Sequence, residues 1–520
     1  MVKKTKKICK QLLPLALAAA FGVSALASCT KKAENDANTV EVYAFTGGYG
    51  VEWLKELESR YEARNKDVNI EIKSDGMLGK ADAMVRTGKL ETTDLYFTTD
   101  SLMKWLYEGN GVVKGYDFVL EPLDDVYSYQ PAGDGKTVED LMHDSYKNNA
   151  RYTYYDDDGN EVSHYYSVPW SGNVTGIVYN KTLFDEFGLS LPRTTKELWE
   201  VCDEIVAKGK VPFVSSTETG YTDYMLQTWT AQYMTVSTFT DFWRGIDADG
   251  KFGPGIWNNE AILYALNAYE KMLSPDVGYS HKNINTLTFT NAQAQILTGN
   301  CLMMVNGDWF ENEMAGKGDK NYVLDIMSAP VLSDIADKTS FAGNAEKETI
   351  LRNLISYIDG EATERPAEAN DADEKTVRDA RKVTYGLLNH NAYIPAYATA
   401  KETAKDFLKY LCTKEAFDVY LEKTGGAILP LAYEVNESAL TAMQQSKMNM
   451  YQKADYVPMY VSFPMAHTGG LSMHLGVNPE RKFTAKDPSD RMTPQQIFDY
   501  CKQKGTQAYF DQIAQKAGLI

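Results

Sequence analysis

The residues best suited to ligand chemistry lie in the segment Asn306-Gly307-Asp308-Trp309, which follows an apolar run. An indole ring offers a flat apolar face on which a ligand ring can pack, and it buries a large apolar area. The neighbouring carboxylate of Asp308 can accept two charge-assisted hydrogen bonds from hydroxyl groups. Two structural roles stay open: Trp309 as a core side chain, and Asp308 as the N-cap of a helix.

Motifs of known catalytic sites are absent from the sequence. It contains no His-Glu-x-x-His, no Gly-x-Ser-x-Gly and no Walker loop. Gly48-Tyr49-Gly50 lacks the third glycine of a dinucleotide loop, although its backbone N–H groups could hold a polar ligand at a strand-to-helix junction. Acids are numerous enough for a glycosidase pair, but the sequence alone cannot place two carboxylates across a cleft. We therefore predict a protein that is not an enzyme and uses no cofactor.

Metal sites are not indicated by the sequence either. The 6 cysteines are far apart, and no Cys-x-x-Cys or Cys/His cluster exists, which argues against zinc. The stretch Asp156 to Asn160 has its glycine at the wrong position for an EF-hand, and we predict a hairpin turn there. Three of the four cysteines in the body of the chain lie in apolar patterns, which predicts buried thiols rather than a disulfide.

Charge and length restrict the class of protein. The 520 residues contain 53 basic and 71 acidic side chains, for a formal net charge of −18. This balance argues against a general nucleic-acid binder, which needs a basic face, and against electrostatic attachment to an anionic bilayer. The length suggests two to four domains.

The N-terminus has the features of a secretory signal. Five lysines among the first ten residues precede a mostly apolar stretch over 12–27, which is short for a membrane-spanning helix. Leu26-Ala27-Ser28-Cys29 resembles a bacterial lipobox, in which the Cys29 thiol takes a diacylglycerol; an ordinary cleavage site is the alternative. We predict a signal peptide over 1–28, a tether over 29–38, and a lipid anchor on the outer face of the cell membrane.

The elements that must position these residues alternate between strands and amphipathic helices. Residues 40–45 alternate as a strand, apolar residues at helical spacing follow over 51–61, and further strands are predicted at 68–72 and 94–97. This order predicts mainly parallel α/β sheets. Residues 334–380 are acidic and low in aromatics, which indicates a helical insertion or an exposed excursion.

Three segments resemble the maltose-binding-protein-like family, the sugar-binding lipoproteins of bacterial ABC importers. They are Ser167 to Phe184 (SVPWSGNVTGIVYNKTLF), Gly299 to Phe310 (GNCLMMVNGDWF), and Ile394-Pro395 through Lys405 to Leu411 and Glu415-Ala416 to Gly425-Gly426. Their order and spacing fit the family, as does the lipobox. Together they cover roughly residues 39 to 435, and the last 85 or so residues match less clearly.

The resemblance implies an α/β, two-lobe periplasmic-binding-protein-like fold with a hinged cleft, each lobe a mainly parallel sheet flanked by helices. It places crossings between the lobes near Val168 to Trp170, near Met327 to Pro330 and near Gly425-Gly426. Lobe 1 is then residues 39–168 and 328–424, and lobe 2 is residues 169–327 and 425–520.

The resemblance also implies where a ligand is held. The candidate ligand-binding residues are Phe45, Tyr49, Asp100, Trp170, Asn173, Tyr221, Tyr224, Trp229, Asn306, Asp308 and Trp309. Asn173 offers a donor and an acceptor to a hydroxyl. The alternative for Asp100 is a cap of the following helix, and the alternative for Tyr221, Tyr224 and Trp229 is core packing. His467 with Gly469-Gly470 is a further candidate for a cleft loop.

The predicted function is capture of a carbohydrate, an oligosaccharide, by cleft closure and delivery to the transmembrane subunits of an ABC permease, by a monomer that binds no nucleic acid. The matched turns carry Trp, Asp and Asn but no Arg or Lys, which an anionic ligand would need. The alternatives are a secreted glycan-degrading hydrolase or lyase, which would form product, and a sugar-sensing lipoprotein, which would differ only in its partner.

Overall fold

A computed structural model describes residues 37–88, 92–107, 118–156, 158–317, 322–427, 429–436, 440–457 and 463–520. The predicted signal peptide, the lipidation residue Cys29 and most of the predicted tether lie outside these residues. Among the described helices, none combines the length and the apolar character that crossing a bilayer requires.

The strands found in the described residues confirm the predicted ones to within a few residues. They are β1 Thr39–Phe45, β2 Asn69–Asp75, β3 Leu95–Thr98, β4 Arg151–Tyr155, β5 Glu161–Tyr165, β6 Val168–Pro169, β7 Thr175–Asn180, β8 Val211–Phe213, β9 Cys301–Gly307, β10 Leu324–Met327, β11 Val383–Tyr385, β12 Asn391–Tyr393 and β13 Asp455–Val457.

Helices separate most of these strands. They are α1 Glu52–Arg64, α2 Lys80–Thr87, α3 Lys104–Tyr107, α4 Asp124–Tyr127, α5 Val138–Leu141, α6 Asp144–Ala150, α7 Lys181–Phe187, α8 Thr195–Ala207, α9 Asp223–Met234, α10 Val236–Arg244, α11 Ala261–Leu273, α12 Phe289–Leu297, α13 Phe310–Glu313, α14 Lys347–Asp359, α15 Asp371–Lys382, α16 Lys401–Leu411, α17 Lys414–Lys423, α18 Ala442–Lys453, α19 Pro464–His467, α20 Pro479–Thr484, α21 Pro494–Lys504 and α22 Gln507–Lys516. Short 3₁₀ helices occupy Pro254–Asn258, Ser333–Lys338 and Pro488–Asp490.

Two separate sheets organise the molecule. The first sheet has the strand order β2-β1-β3-β12-β6, and the second has the order β10-β7-β9-β8. The α/β class is therefore confirmed, but the strand directions are mixed: β12 is antiparallel to both of its neighbours, and β7 is antiparallel to β9 and β10. The antiparallel pairing of β7 and β9 arises because β7 begins at a crossing between the sheets and β9 ends near it. Thr175 at the start of β7 therefore pairs with Gly307 at the end of β9.

The turn and the cysteines follow the sequence predictions. Strands β4 and β5 form an antiparallel hairpin, and Asp156 Oδ1 accepts hydrogen bonds from the backbone N–H groups of Asp158 and Asn160 at 3.0 and 2.8 Å. This confirms the predicted hairpin turn. Cys202, Cys301, Cys412 and Cys501 are all free and buried, whereas the sequence predicted burial for three of the four.

The predicted assignment of residues 328–424 to lobe 1 is corrected for its first part. Helices α14 and α15 present apolar stripes, including Leu351, Leu354 and Val377, to the same apolar cluster as strand β7 and helix α8. Amphipathic helices bury such a stripe against whichever core they reach, and here that core belongs to the second sheet. The helical part of the predicted insertion over 334–380 therefore belongs to the second lobe.

Two of the three predicted crossings also lie elsewhere. The first crossing runs from β6 to β7, next to the predicted position. The second runs from β11 to β12, over residues 386–390 instead of 327–330, because the intervening helices stay on the second lobe. The third follows Ala432 instead of Gly425-Gly426, since the Ala432 N–H still bonds the Leu141 carbonyl of the first lobe at 2.8 Å.

Candidate functional site

A hydrogen bond joins the two lobes at the ends of their central strands. Strand β1 is followed by the loop that carries Tyr49, and strand β9 is followed by Asp308. The Tyr49 hydroxyl donates to Asp308 Oδ1 at 2.9 Å, and the side-chain amide of Asn312 bonds the Gly48 carbonyl. Tyr49 and Asp308 are each 3% exposed. We call this contact and the aromatic side chains around it the junction.

The carboxyl group of Asp308 is buried without a direct ion-pair partner among the described residues. Burial raises its pKa to about 6, although Lys447 and the Tyr49 hydroxyl act in the opposite direction. The Lys447 ammonium lies 3.4 Å from the Asp308 backbone carbonyl and pairs with Glu311 at 3.0 Å. The Asp308 carboxylate therefore keeps acceptor capacity for hydroxyl groups beyond that of Tyr49.

Trp170 forms the first-lobe side of the junction. Its backbone N–H donates to the His390 carbonyl at 2.9 Å, which ties the first crossing to the second. The indole is nearly parallel to that of Trp53, with centroids 5.8 Å apart, and the His390 ring lies 4.8 Å away. The Trp170 indole N–H has no hydrogen-bond acceptor among the described residues. It is a buried donor available to a polar ligand.

Trp309 forms the second-lobe side. It precedes α13, and its ring folds back over Gly307, where a Cβ would lie 2.1 Å from the indole. Tyr221 and Tyr224 meet the indole edge-on, with centroid distances of 5.8 and 6.4 Å, and Tyr224 stacks on Tyr385 at 4.8 Å. We call these four side chains the aromatic wall.

Both tryptophans are covered in this structure. Trp170 and Trp309 are each 3% exposed, and both belong to one apolar cluster that continues from the first sheet to the second. They lie where the lobes meet rather than deep in either lobe, because Gly48 of the first lobe lies against Trp309.

Three predicted site residues make contacts within the fold. Trp229 is fully buried in the second-lobe core and donates to the Pro330 carbonyl at 3.0 Å. The Asn173 side-chain oxygen accepts the Leu387 backbone N–H at 2.6 Å, and its side-chain nitrogen donates to the Leu387 carbonyl at 2.8 Å. Asn173 thereby joins the first crossing to the second. Asn306 is buried and its side-chain oxygen accepts the Gly307 N–H. Ligand contact by these three residues stays a prediction.

Asp100 and Phe45 lie on the same edge of the first sheet. Both Asp100 carboxylate oxygens accept backbone N–H groups at the start of α2, from Gly79 at 2.8 Å and Asp82 at 3.1 Å. Asp100 therefore caps the preceding helix, not the following one. Phe45 is half-buried at the end of β1, with its ring against Gly47. His467, the further candidate for a cleft loop, does not lie on this sheet edge. It is the last residue of α19, and α19 packs on α22.

Sequence reasoning missed His390 and Tyr385. The buried His390 ring lies 4.8 Å from Trp170 and 5.5 Å from Tyr49, and burial lowers its pKa to about 4, so the imidazole is neutral at pH 7. Both residues flank the second crossing, and the sequence placed that crossing some sixty residues earlier. No local pattern marks them, since their position depends on where the chain changes lobes.

The described residues contain no group of three or more His, Cys, Asp or Glu side chains close enough to hold a metal ion. The chemistry of the junction is instead that of aromatic faces beside a carboxylate and a neutral imidazole. Such a set binds neutral hydroxylated rings through C–H contacts and hydrogen bonds.

Comparison with known proteins gives a consistent family. Residues 47–416 match the family described as "Bacterial extracellular solute-binding protein". The multiple sugar-binding protein of Streptococcus mutans is 31% identical over 149 residues, which is 28% of this chain and 33% of that protein. The diacetylchitobiose binding protein NgcE of Streptomyces coelicolor is 22% identical over 307 residues, 57% of this chain and 58% of that protein. The chain thus spans less than two thirds of the length of these curated relatives.

A solved structure extends the comparison over most of the chain. A chitin oligosaccharide binding protein superimposes with a TM-score of 0.59 at 16% identity, and the match covers 91% of this chain and 99% of that one. At this identity the likeness shows the fold, and it confirms the predicted two-lobe class.

Proposed function

The chain belongs to the bacterial extracellular solute-binding protein family, and we propose that it captures a carbohydrate between its two lobes for delivery to an ABC permease. The observation that carries this proposal is the junction itself. Aromatic faces from both lobes and the Asp308 carboxylate converge where Tyr49 bridges the lobes. The names of the similar proteins, which refer to multiple sugars, diacetylchitobiose and chitin oligosaccharides, support a carbohydrate ligand.

The side chains favour a neutral ligand. Trp170, Trp309 and Tyr221 supply rings on which pyranose C–H faces pack, and Asp308 and His390 supply hydrogen-bonding atoms. Lys447 is occupied by Glu311, so it does not provide an uncompensated positive charge for an anion. We infer an oligosaccharide because aromatic rings lie on both sides of the junction and can contact more than one sugar ring.

Capture proceeds by opening and closing of the lobes. The crossings over 170–174, over 386–390 and after Ala432 are the segments about which the lobes can move. Opening breaks the Tyr49–Asp308 bond and exposes Trp170 and Trp309. A bound sugar stabilises the closed form only to the extent that it contacts both lobes.

We further propose that Cys29 carries a lipid that holds the protein on the outer face of the membrane, where it meets the permease. The lipobox-like Leu26-Ala27-Ser28-Cys29 supports this anchor. Metabolic labelling with a radioactive fatty acid tests it: we expect label in the wild-type chain and none in Cys29→Ser. Equal labelling of both chains would contradict the anchor.

The sugar assignment is tested with a pair of buried tryptophans. We expect Trp309→Ala to weaken sugar binding at least about 100-fold, which corresponds to about 2.7 kcal/mol, because it removes a stacking surface. Trp105→Ala is the matched control, since Trp105 is 4% exposed in the first lobe and belongs to another apolar cluster. Calorimetry with a panel of mono- and oligosaccharides measures both.

Two results would overturn the proposal. One is the failure of every sugar in the panel to bind the wild-type protein; the other is equal weakening by both tryptophan variants. The same incubations separate a binding protein from a glycan-degrading enzyme. We expect the sugar to be recovered unchanged by mass spectrometry, and product formation would favour the enzyme.

A further inference from the structure

A cavity of about 490 Å³ lies on the second lobe, away from the junction. It shares no lining residue with the aromatic wall. Helix α9 and the segment before it contribute Gly220, Asp223 and Gln227, and helix α11 contributes Tyr269. The opposite side is the segment 471–480, which lies beyond the residues matched by the family model.

Two carboxyl groups face this cavity from opposite sides, that of the half-buried Asp223 and that of the buried Glu480. Asp223 Oδ2 accepts from the Gln227 amide at 2.6 Å, and Glu480 Oε1 accepts from the Thr222 hydroxyl at 2.6 Å. Neither carboxyl group has an ion-pair partner among the described residues. Burial raises the pKa of both, that of Glu480 to about 7.

Two further side chains of the lining carry unused polar atoms. Gln227 is 4% exposed and His474 is 6% exposed. Neither Gln227 Oε1 nor His474 Nδ1 has a hydrogen-bond partner within the described residues. A buried polar atom without a hydrogen-bond partner is unfavourable, so these atoms point independently to a ligand that brings hydrogen-bonding groups.

We propose that this cavity binds an organic ammonium ion. The lining is rich in acceptors and carboxyl groups, and the aromatic side chains of Trp243 and Tyr269 suit an alkylammonium group. A single metal ion is not the occupant, because the acidic and histidine side chains are not close enough together to coordinate one. A neutral polyol would leave the Glu480 carboxylate uncompensated once it ionises, whereas an ammonium ion would compensate it.

Affinity for the ammonium ion rises with pH. The groups that act on Glu480 are Asp223 on α9, Tyr269 on α11, Thr222 before α9 and Arg481 on its own helix, and His474 lies on the same side of the cavity as Glu480. Burial lowers the pKa of His474 to about 4, so this imidazole stays neutral. An ammonium ion stays charged while Glu480 ionises, and we expect affinity to increase about tenfold from pH 6 to pH 8.

The test uses spermidine and choline as probes, with glycerol and myo-inositol as neutral controls, in calorimetry on the full chain. We expect an amine to bind the wild-type protein at pH 8 and to bind at least tenfold more weakly to Glu480→Gln and to Asp223→Asn. Both amides keep the acceptor that the native hydrogen bond uses, and circular dichroism checks their folding. Asp334→Asn is the matched control, a half-buried carboxyl group on the second lobe outside the cavity lining.

The outcome is separable from that of the sugar proposal. We expect the cavity variants to keep sugar affinity and Trp309→Ala to keep amine affinity. Failure of both amines to bind, equal binding to Glu480→Gln and the wild type, or equal binding of the neutral polyols would each overturn the ammonium site. None of these results bears on the junction.

Discussion

Asp308 couples the junction to pH through its buried carboxyl group. Burial raises its pKa from 3.8 to about 6. Between these pH values the folded chain holds a proton that the unfolded chain has released, so the free energy of unfolding falls as the pH rises. The stabilising contribution of the protonated Asp308 carboxyl group to the free energy of unfolding is fully present below pH 3.8. It is lost as the pH rises through about 6.

We expect Asp308→Asn to remove this pH dependence, because an amide does not ionise and its oxygen still accepts the Tyr49 hydroxyl. Between pH 4 and pH 7 the free energy of unfolding of the variant should improve relative to the wild type by about 1–3 kcal/mol. Urea unfolding at several pH values measures this difference. Glu480 and other buried carboxyl groups contribute to both proteins and cancel. Parallel pH profiles would contradict the assignment.

Local sequence patterns predicted some of these side chains and not others. Asp308 and Trp309 could be placed because a buried strand ends immediately before them. The roles of Trp229 and Asn173 could not be predicted in this way. An aromatic ring at helical spacing fits a core as well as a cleft, and a side-chain amide can bond a distant backbone group as well as a sugar hydroxyl. What decides between these roles is contact with residues more than a hundred positions away.

At the level of elements, the end of strand β9 sets the position of the indole. Gly307 allows Trp309 to fold back, and its backbone does not need a left-handed conformation, so the nearest obstacle to alanine there is the indole ring. The strand and the start of α13 thus place the ring against the first lobe.

We expect Gly307→Ala to push the indole out of this position, because the new Cβ would lie 2.1 Å from the ring. Sugar affinity should fall at least about tenfold and stability by about 1–3 kcal/mol. Near-UV circular dichroism and calorimetry measure the two effects. Gly343→Ala is the control, since nothing lies within 4 Å of the Cβ that it would add. Unchanged spectra and affinity in Gly307→Ala would refute this role.

The strands were easier to predict than the path between the lobes. Alternation within β1 and the apolar run of β9 are local properties, and both were predicted nearly in place. Helices α14 and α15 have clear apolar stripes, but a stripe does not specify which of two cores it meets. The second crossing, and with it His390 and Tyr385, therefore could not be located from the sequence.

For the whole molecule, the balance between open and closed lobes depends on contacts that span the junction. Tyr49 donates from the first lobe to Asp308 of the second, and both groups are buried in the closed form. A hydrogen bond to a charged group contributes about 1.5–3 kcal/mol, and opening the lobes gives it up to water.

We expect Tyr49→Phe to shift the sugar-free protein towards the open form by about 10- to 100-fold in the equilibrium constant. Spin labels at the exposed positions Asp67 and Glu204 report the distance between lobes by pulsed electron resonance. The four body cysteines are buried, so replacing Cys9 and Cys29 by serine leaves only the two introduced thiols to react. Longer distances should appear in Tyr49→Phe and shorten again when sugar is added.

Tyr179→Phe is the control that separates the loss of a hydroxyl from the loss of an interlobe bond. The Tyr179 hydroxyl donates to Asp325 Oδ2 at 3.2 Å, and both residues lie within the second lobe, on β7 and β10. Its removal should leave the interlobe distance as in the wild type. If Tyr49→Phe and Tyr179→Phe give the same distance distribution, the Tyr49–Asp308 bond does not govern closure, and other contacts between the lobes hold them together.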